Sequence, residues 1–142
     1  MYTKGQLAGI LLTTATPKLK ITPAKTRSGW TVRHSIEIRA PLRMTDGIER
    51  SLGSLFNIEP KRQQQRGYHR DMLIIGKQAD IIAICNIMPV GAPAKSNAWH
   101  RFITGIKIVE NREHLDMSRE EFGERLNETN TSSRKTGNGT DD

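Results

Sequence analysis

Trp30-Thr31-Val32-Arg33-His34-Ser35-Ile36-Glu37-Ile38-Arg39 is the stretch on which the fold turns. Its period is two. Val32, His34, Ile36 and Ile38 share one face, while Thr31, Arg33, Ser35, Glu37 and Arg39 share the other. That alternation belongs to a strand packed on one side and open to solvent on the other. Upstream, Lys18-Leu19-Lys20-Ile21-Thr22 alternates in the same way, and Thr26–Gly29, punctuated by Ser28-Gly29, supplies the turn between the two. The pair reads as a hairpin whose open face is polar and mostly cationic.

Helical periods flank this hairpin. Lys4–Thr14 carries Leu7, Ile10, Leu11 and Thr14 at helical spacing, and Pro17 ends the run. Thr45 or Asp46 is placed to cap a helix reaching Phe56, with Ile48, Leu52 and Leu55 on one stripe. Ile58–Arg62 and Tyr68–Ile75 read as a second hairpin around Gln63–Gly67. A helix follows over Gln78–Ile87, with Ile81, Ile84, Cys85 and Met88 inward, stopped by Pro89. After the Val90–Ala94 loop, Ser96 caps a longer helix carrying Trp99, Phe102, Ile103, Ile106 and Val109, and a last helix covers Ser118–Glu128. The order predicts an α+β fold: a four-stranded antiparallel sheet with helices on one face.

A chain of 142 residues makes one domain the expectation, over 1–128, followed by a disordered polar tail at 129–142, where no apolar side chain occurs. The one cysteine excludes a disulfide framework and a four-thiolate zinc site. No apolar run reaches the roughly 20 residues of a membrane helix. With no secretory signal read at the N-terminus, the expected location is cytoplasmic or nucleoid-associated. The net charge of +7 is unevenly spread: residues 1–36 hold six Lys or Arg and no acid, whereas 110–142 hold five basic and nine acidic residues. A basic body of this kind points to a polyanion, nucleic acid first. Neither a phosphate-binding glycine loop, nor zinc-finger spacing, nor a nucleophile elbow is present.

Leu7-Ala8-Gly9-Ile10-Leu11 resembles the opening of the LAGLIDADG signature of homing endonucleases. The later pattern is similar too: a helix ending in Leu52-Gly53-Ser54-Leu55-Phe56, a helix ending in Ile87-Met88-Pro89, and Asn111-Arg112-Glu113-His114-Leu115 before a Ser-Arg-Glu-Glu helix. The resemblance spans residues 5 to 128 and implies the order αββαββα. It also implies a homodimer, paired through the signature helices, with two sheets in the major groove of a near-palindromic double-stranded DNA site. The interface would then comprise Gly5, Ala8, Gly9 and Thr13; Gly5, Gly9 and Thr13 lie at i, i+4 and i+8, so that helix face has little bulk. The DNA contacts would be Lys18, Lys20, Thr22, Arg33 and Arg39 on the open face, with Arg66 at the hairpin tip and Arg70 beside it. Strands in a major groove read base edges, Arg and Lys donating to guanine.

The resemblance further implies a divalent cation held by an acid at the end of the signature helix. Here Leu12-Thr13-Thr14-Ala15 stands against the Asp-Ala-Asp-Gly end, so the acid position is Thr14. A neutral hydroxyl does not replace a carboxylate on a hard cation, and metal-assisted phosphodiester hydrolysis needs that metal. Ala40 and Met44 stand where polar or basic residues are usual, and Lys95 alone matches the family's active-site lysine. The expectation is therefore sequence-specific duplex binding by a homodimer that has lost cleavage, with no cofactor. Mg²⁺ enters only under the alternative of an active nuclease with another ligand set. A maturase-like RNA-binding protein is the further alternative.

Of the remaining residues, His34 is read as a packed core histidine, and His69, His100 and His114 are too scattered for a zinc site. Trp99, Phe102 and Cys85 belong to the core, whereas Trp30 stacks on a base or caps the sheet edge. Glu37 partners Arg33 or Arg39, or accepts from cytosine N4.

Overall fold

The computed structural model describes residues 1–25, 28–64, 70–88 and 97–126. Its elements are α1 (Lys4–Thr14), β1 (Ala15–Pro23), β2 (Trp30–Pro41), α2 (Leu42–Phe56), β3 (Lys61–Gln64), β4 (Arg70–Ile75), α3 (Gln78–Cys85) and α4 (Asn97–Glu110). A 3₁₀ turn (Glu113–Asp116) and α5 (119–126) complete them. The strands form one antiparallel sheet in the order β1-β2-β4-β3, so the expected α+β architecture is the observed one. The expected tail at 129–142 lies outside the described residues. Two compact units share the chain: 1–18 with 34–90, and 19–33 with 91–142. No helix among the described residues is long and apolar enough to cross a membrane.

In the first unit, α1 begins with a capping box. Thr3 Oγ1 accepts from the Gln6 N–H at 3.2 Å, and the Gln6 side chain accepts from the Thr3 N–H at 3.0 Å. Leu7 and Leu11 are fully buried and anchor the helix. It stops at Thr14, where Ala15 turns to extended backbone, and Pro17 holds Thr16 extended behind it.

α2 corrects an expectation. Thr45 and Asp46 do not cap it; the helix starts at Leu42, directly after Pro41, with no side-chain cap. Thr45 is fully buried inside the helix, and its Oγ1 donates to the Ala40 and Pro41 carbonyls at 2.9 and 3.1 Å. A threonine that bonds back to the preceding turn looks the same in sequence as one that caps. At the other end Asn57 sits at φ +56°, and the N–H groups of Asn57 and Ile58 donate to the Gly53 and Leu52 carbonyls. This is a left-handed helix closure, with asparagine tolerating the left-handed region and Ile58 buried behind it. Ile58 is thus consumed by the helix end, and β3 starts at Lys61 rather than at Ile58. Of the expected Tyr68–Ile75 strand, Arg70–Ile75 is β4 and residues 68–69 lie outside the described residues, while α3 ends at Cys85 before a turn that still buries Met88.

The second unit is built on Trp30, which is 2% exposed. Its Nε1 donates to the Met117 carbonyl at 3.0 Å, and its ring meets Phe122 at 5.1 Å and His114 edge-on at 6.0 Å. Ile108, Met117, Phe122 and Leu126 close the cluster, with Leu19, Ile21 and Val32 against it. Ile108 takes the inward place expected for Val109, which is only half-buried. Gly105 makes close packing feasible: a Cβ there would meet Leu19 Cδ2 at 2.6 Å and Leu126 Cδ2 at 2.9 Å. Ser118 caps α5 through its Oγ, which accepts from the Glu121 N–H at 3.0 Å.

His114 has a buried Nδ1 with no hydrogen-bond partner among the described residues. Burial, and then the charge of Arg112, push its pKa below the ordinary histidine value. A base depressed on folding stabilises the fold above its unfolded pKa, near 6.5, and the contribution disappears as pH falls through the lower folded value. Urea midpoints should therefore fall between pH 7.5 and pH 5, and His114→Gln should reduce that fall. An identical pH dependence in the variant would reject the assignment.

Candidate nucleic-acid interface

The two-residue period of β2 sorts its side chains as the sequence requires. Ile36, Ile38 and Ala40 are buried, while Arg33 and Arg39 are exposed. Across the first unit the register places Glu37 opposite Ile74 and Lys61 opposite Ile74 on the far side; Arg39 stands opposite Met72, and so does Gln63. Two cross-strand rows result on the open face, Glu37-Ile74-Lys61 and Arg39-Met72-Gln63. Lys18 joins them from β1, its Nζ 3.1 Å from Glu37 Oε1, and Arg39 Nη2 lies 3.7 Å from the same oxygen. Arg39 Nε also donates to Met72 Sδ at 3.3 Å.

Neither Lys61 nor Gln63 is among the sheet-face contacts the sequence reading names. Alternation from the buried Ile58 puts residues 59, 61 and 63 outward; Lys61 lies inside the predicted Ile58–Arg62 strand, and Gln63 falls in the predicted loop after it. Arg62 itself faces away from that row. It donates to Asp71 Oδ2 at 2.7 Å, Asp46 Oδ1 at 2.8 Å and Glu49 Oε1 at 2.9 Å, tying β3 and β4 to α2. Those carboxylates, Asp46 first and then Asp71, raise its pKa further above its ordinary value. This cation is committed within the protein.

In the second unit Lys20 and Arg33 are exposed and Thr22 is half-buried. Trp30, by contrast, is buried in its own cluster and has no surface to stack on a base. Glu37 pairs with Lys18 and Arg39, and Arg33 has no part in that pairing. Arg66, Lys95 and the side chain of Arg70 lie outside the described residues. His34 is half-buried with its Nδ1 unpartnered among the described residues.

The end of α1 carries Leu12, Thr13 and Thr14, with no acid among them. Thr13 Oγ1 and Thr14 Oγ1 both donate to the Ile10 carbonyl, at 3.0 and 2.9 Å. Two neutral oxygens already engaged with the backbone do not fit a hard divalent cation. Among the described residues no group of three or more His, Cys, Asp or Glu is placed to hold a metal.

The outward face of α1 is thin. Gly5, Gly9 and Thr13 are exposed and, with Tyr2, Gln6 and Ile10, line a shallow groove of about 400 Å³. A Cβ added at Gly5 or Gly9 would meet nothing within 4 Å. Ala8 does not belong to this face; it is 6% exposed and turns inward with Leu7 and Leu11.

No family model and no curated protein sequence matches the chain. Solved structures do match. The meganuclease I-SmaMI, bound to uncleavable DNA, superposes with a TM-score of 0.68 at 14% identity, over 90% of this chain and 44% of its own. The homing endonuclease I-TnaI gives a TM-score of 0.65 at 15% identity, over 89% of this chain and 87% of its own. The fold is that of the LAGLIDADG homing endonucleases. I-CeuI, a group I intron-encoded homing endonuclease solved with DNA, matches at a TM-score of 0.59 and 16% identity, over 80% of this chain and 57% of its own. This LAGLIDADG-like chain therefore spans less than half of I-SmaMI and most of I-TnaI.

Proposed function

We propose that this protein is a homodimeric reader of a specific double-stranded DNA sequence that does not cleave its site. The observation that carries the reading is the open sheet face, where Lys18, Arg39 and Lys61 project among the polar and apolar groups Gln63, Ile74 and Met72. Clustered cations bind phosphates by releasing counterions, and polar side chains between them can read base edges. Lys20 and Arg33 add two further exposed cations. Arg66 and Arg70 are proposed for the flanks of the site on sequence grounds. The I-SmaMI and I-CeuI neighbours were solved with DNA, which supports a duplex as the polyanion.

The loss of cleavage rests on Thr14, which stands at the position where the LAGLIDADG signature carries an acid. With no carboxylate there, Mg²⁺ has no ligand set at the end of α1, and a step that generates hydroxide on a metal is not available.

The dimer rests on the thin, exposed face of α1, where Gly5, Gly9 and Thr13 leave little bulk. Gly9→Phe tests this without disturbing the monomer. A side chain there meets open space, and replacing a mid-helix glycine improves helix propensity by a few tenths of a kcal/mol. The variant should scatter light as one 16.0 kDa chain and keep its circular dichroism spectrum. An intact dimer would remove α1 from the interface.

The whole reading is tested by selecting bound duplexes from a random library with Mg²⁺ present and sequencing their ends. An enriched near-palindrome with intact strands is the expected result. The same motif with staggered breaks would overturn the loss of cleavage, and failure to enrich any duplex would overturn DNA binding and move the search to folded RNA.

A further inference from the structure

Glu37 is an anomaly on the open face: an acid among cations offered to phosphates. Its side chain is 19% exposed, far less than those of Lys18 and Arg39, at 53% and 59%. The carboxylate therefore sits low on the sheet, beside Ile74 across the strand, and the cations rise above it. Both ion contacts fall on Oε1. Arg39 is held at a second point, where its Nε donates to Met72 Sδ.

We infer that Glu37 is a positioning residue for sequence readout: with Met72 it holds Arg39 so that the end of the guanidinium faces a guanine edge. The inference rests on the duplex-binding reading above. Met72 and Glu37 engage Nε and Nη2, which lie along one side of the planar group. The Nη1–Nη2 end remains for the paired acceptors O6 and N7 of guanine, which arginine takes with two parallel hydrogen bonds. An exposed arginine otherwise loses several rotamers when it docks, and fixing it beforehand reduces that loss. Because the cation of each pair is more than half exposed, these contacts add little to folding, and their consequence is in recognition.

The charge of Glu37 gives a signature that a merely structural residue would not produce. Removing it leaves the face more cationic, so binding to any duplex strengthens or holds. Discrimination falls at the same time, because Arg39 is no longer oriented.

The test measures affinities of the full chain for its selected duplex, for duplexes with single changed base pairs and for a scrambled duplex. Glu37→Gln should hold or raise affinity for the scrambled duplex and lower the preference at one G·C position by about two- to tenfold. Met72→Leu, nearly isosteric but without the acceptor, should lower preference at that same position by less. Arg39→Lys should lower it most, by about tenfold or more, because a lysine lacks the fork. A wild-type preference that survives Glu37→Gln unchanged, or affinities that move equally on all duplexes, would overturn the positioning role alone. A wild-type protein with no preference among duplexes would overturn the duplex reading as well.

Discussion

Truncating Trp30 to alanine is expected to remove about 3–5 kcal/mol of folding stability, the range for deleting a buried aromatic side chain. The side chain is 2% exposed and is surrounded by Phe122, His114 and Met117 of its own unit. Its loss opens a cavity among Ile108, Met117, Phe122 and Leu126. It also strands the Met117 carbonyl, whose partner is Trp30 Nε1, and a buried acceptor left unpaired costs about 1–3 kcal/mol. Trp30→Phe separates the two effects: it keeps most of the apolar volume and loses the donor, so its cost should be closer to that second range. Urea denaturation followed by circular dichroism measures both. A cost below about 1 kcal/mol for Trp30→Ala would mean that the cluster is not what holds the second unit together.

Changing Arg33 and Arg39 together to alanine should lower affinity for the selected duplex by at least about a hundredfold while leaving the fold intact. Both side chains are exposed, and surface substitutions of this kind usually stay within about 0.5 kcal/mol of neutral. A bidentate arginine–guanine contact contributes about 1–3 kcal/mol of discrimination, and a homodimer would present each residue twice. The salt dependence distinguishes the roles. If both arginines read bases, affinity for scrambled duplex changes little; if both neutralise phosphates, the slope of log affinity against log salt drops by about 0.9 for each lost contact. Arg39, anchored by Glu37 and Met72, is expected to behave in the first way. An unchanged footprint and affinity in the double variant would take the sheet out of the interface.

The strands were legible because burial on a sheet has a period of two and the chain writes it plainly. That period puts Arg33, Glu37 and Arg39 on the open face, whereas helical spacing puts Ile10 on the same stripe as the buried Leu7 and Leu11 although Ile10 lines the outward groove of α1. Local ambiguity limited the rest. Thr45 has the same chemistry whether it caps a helix or bonds back within one, and only the buried turn from Pro41 into α2 decides. Ile58 is an apolar residue at a plausible strand start, yet the left-handed Asn57 uses it to close α2 and moves β3 along the chain.

Chemistry along the chain was determined by the sequence alone: a period-two cationic hairpin, small residues spaced along one face of α1, and threonines rather than carboxylates at its end. Those follow from local periodicity and side-chain type, which need no partner to be read. Which cations are free and which are spoken for was decided only by the tertiary structure. Arg62 is drawn to Asp46, Glu49 and Asp71, Ala8 turns into the core, Trp30 is sealed beneath Phe122, and Lys61 and Gln63 come to stand beside Met72 and Ile74. The reason is that an ion pair or a cross-strand neighbour joins residues distant in the chain, and the register that brings them together is a property of the whole sheet.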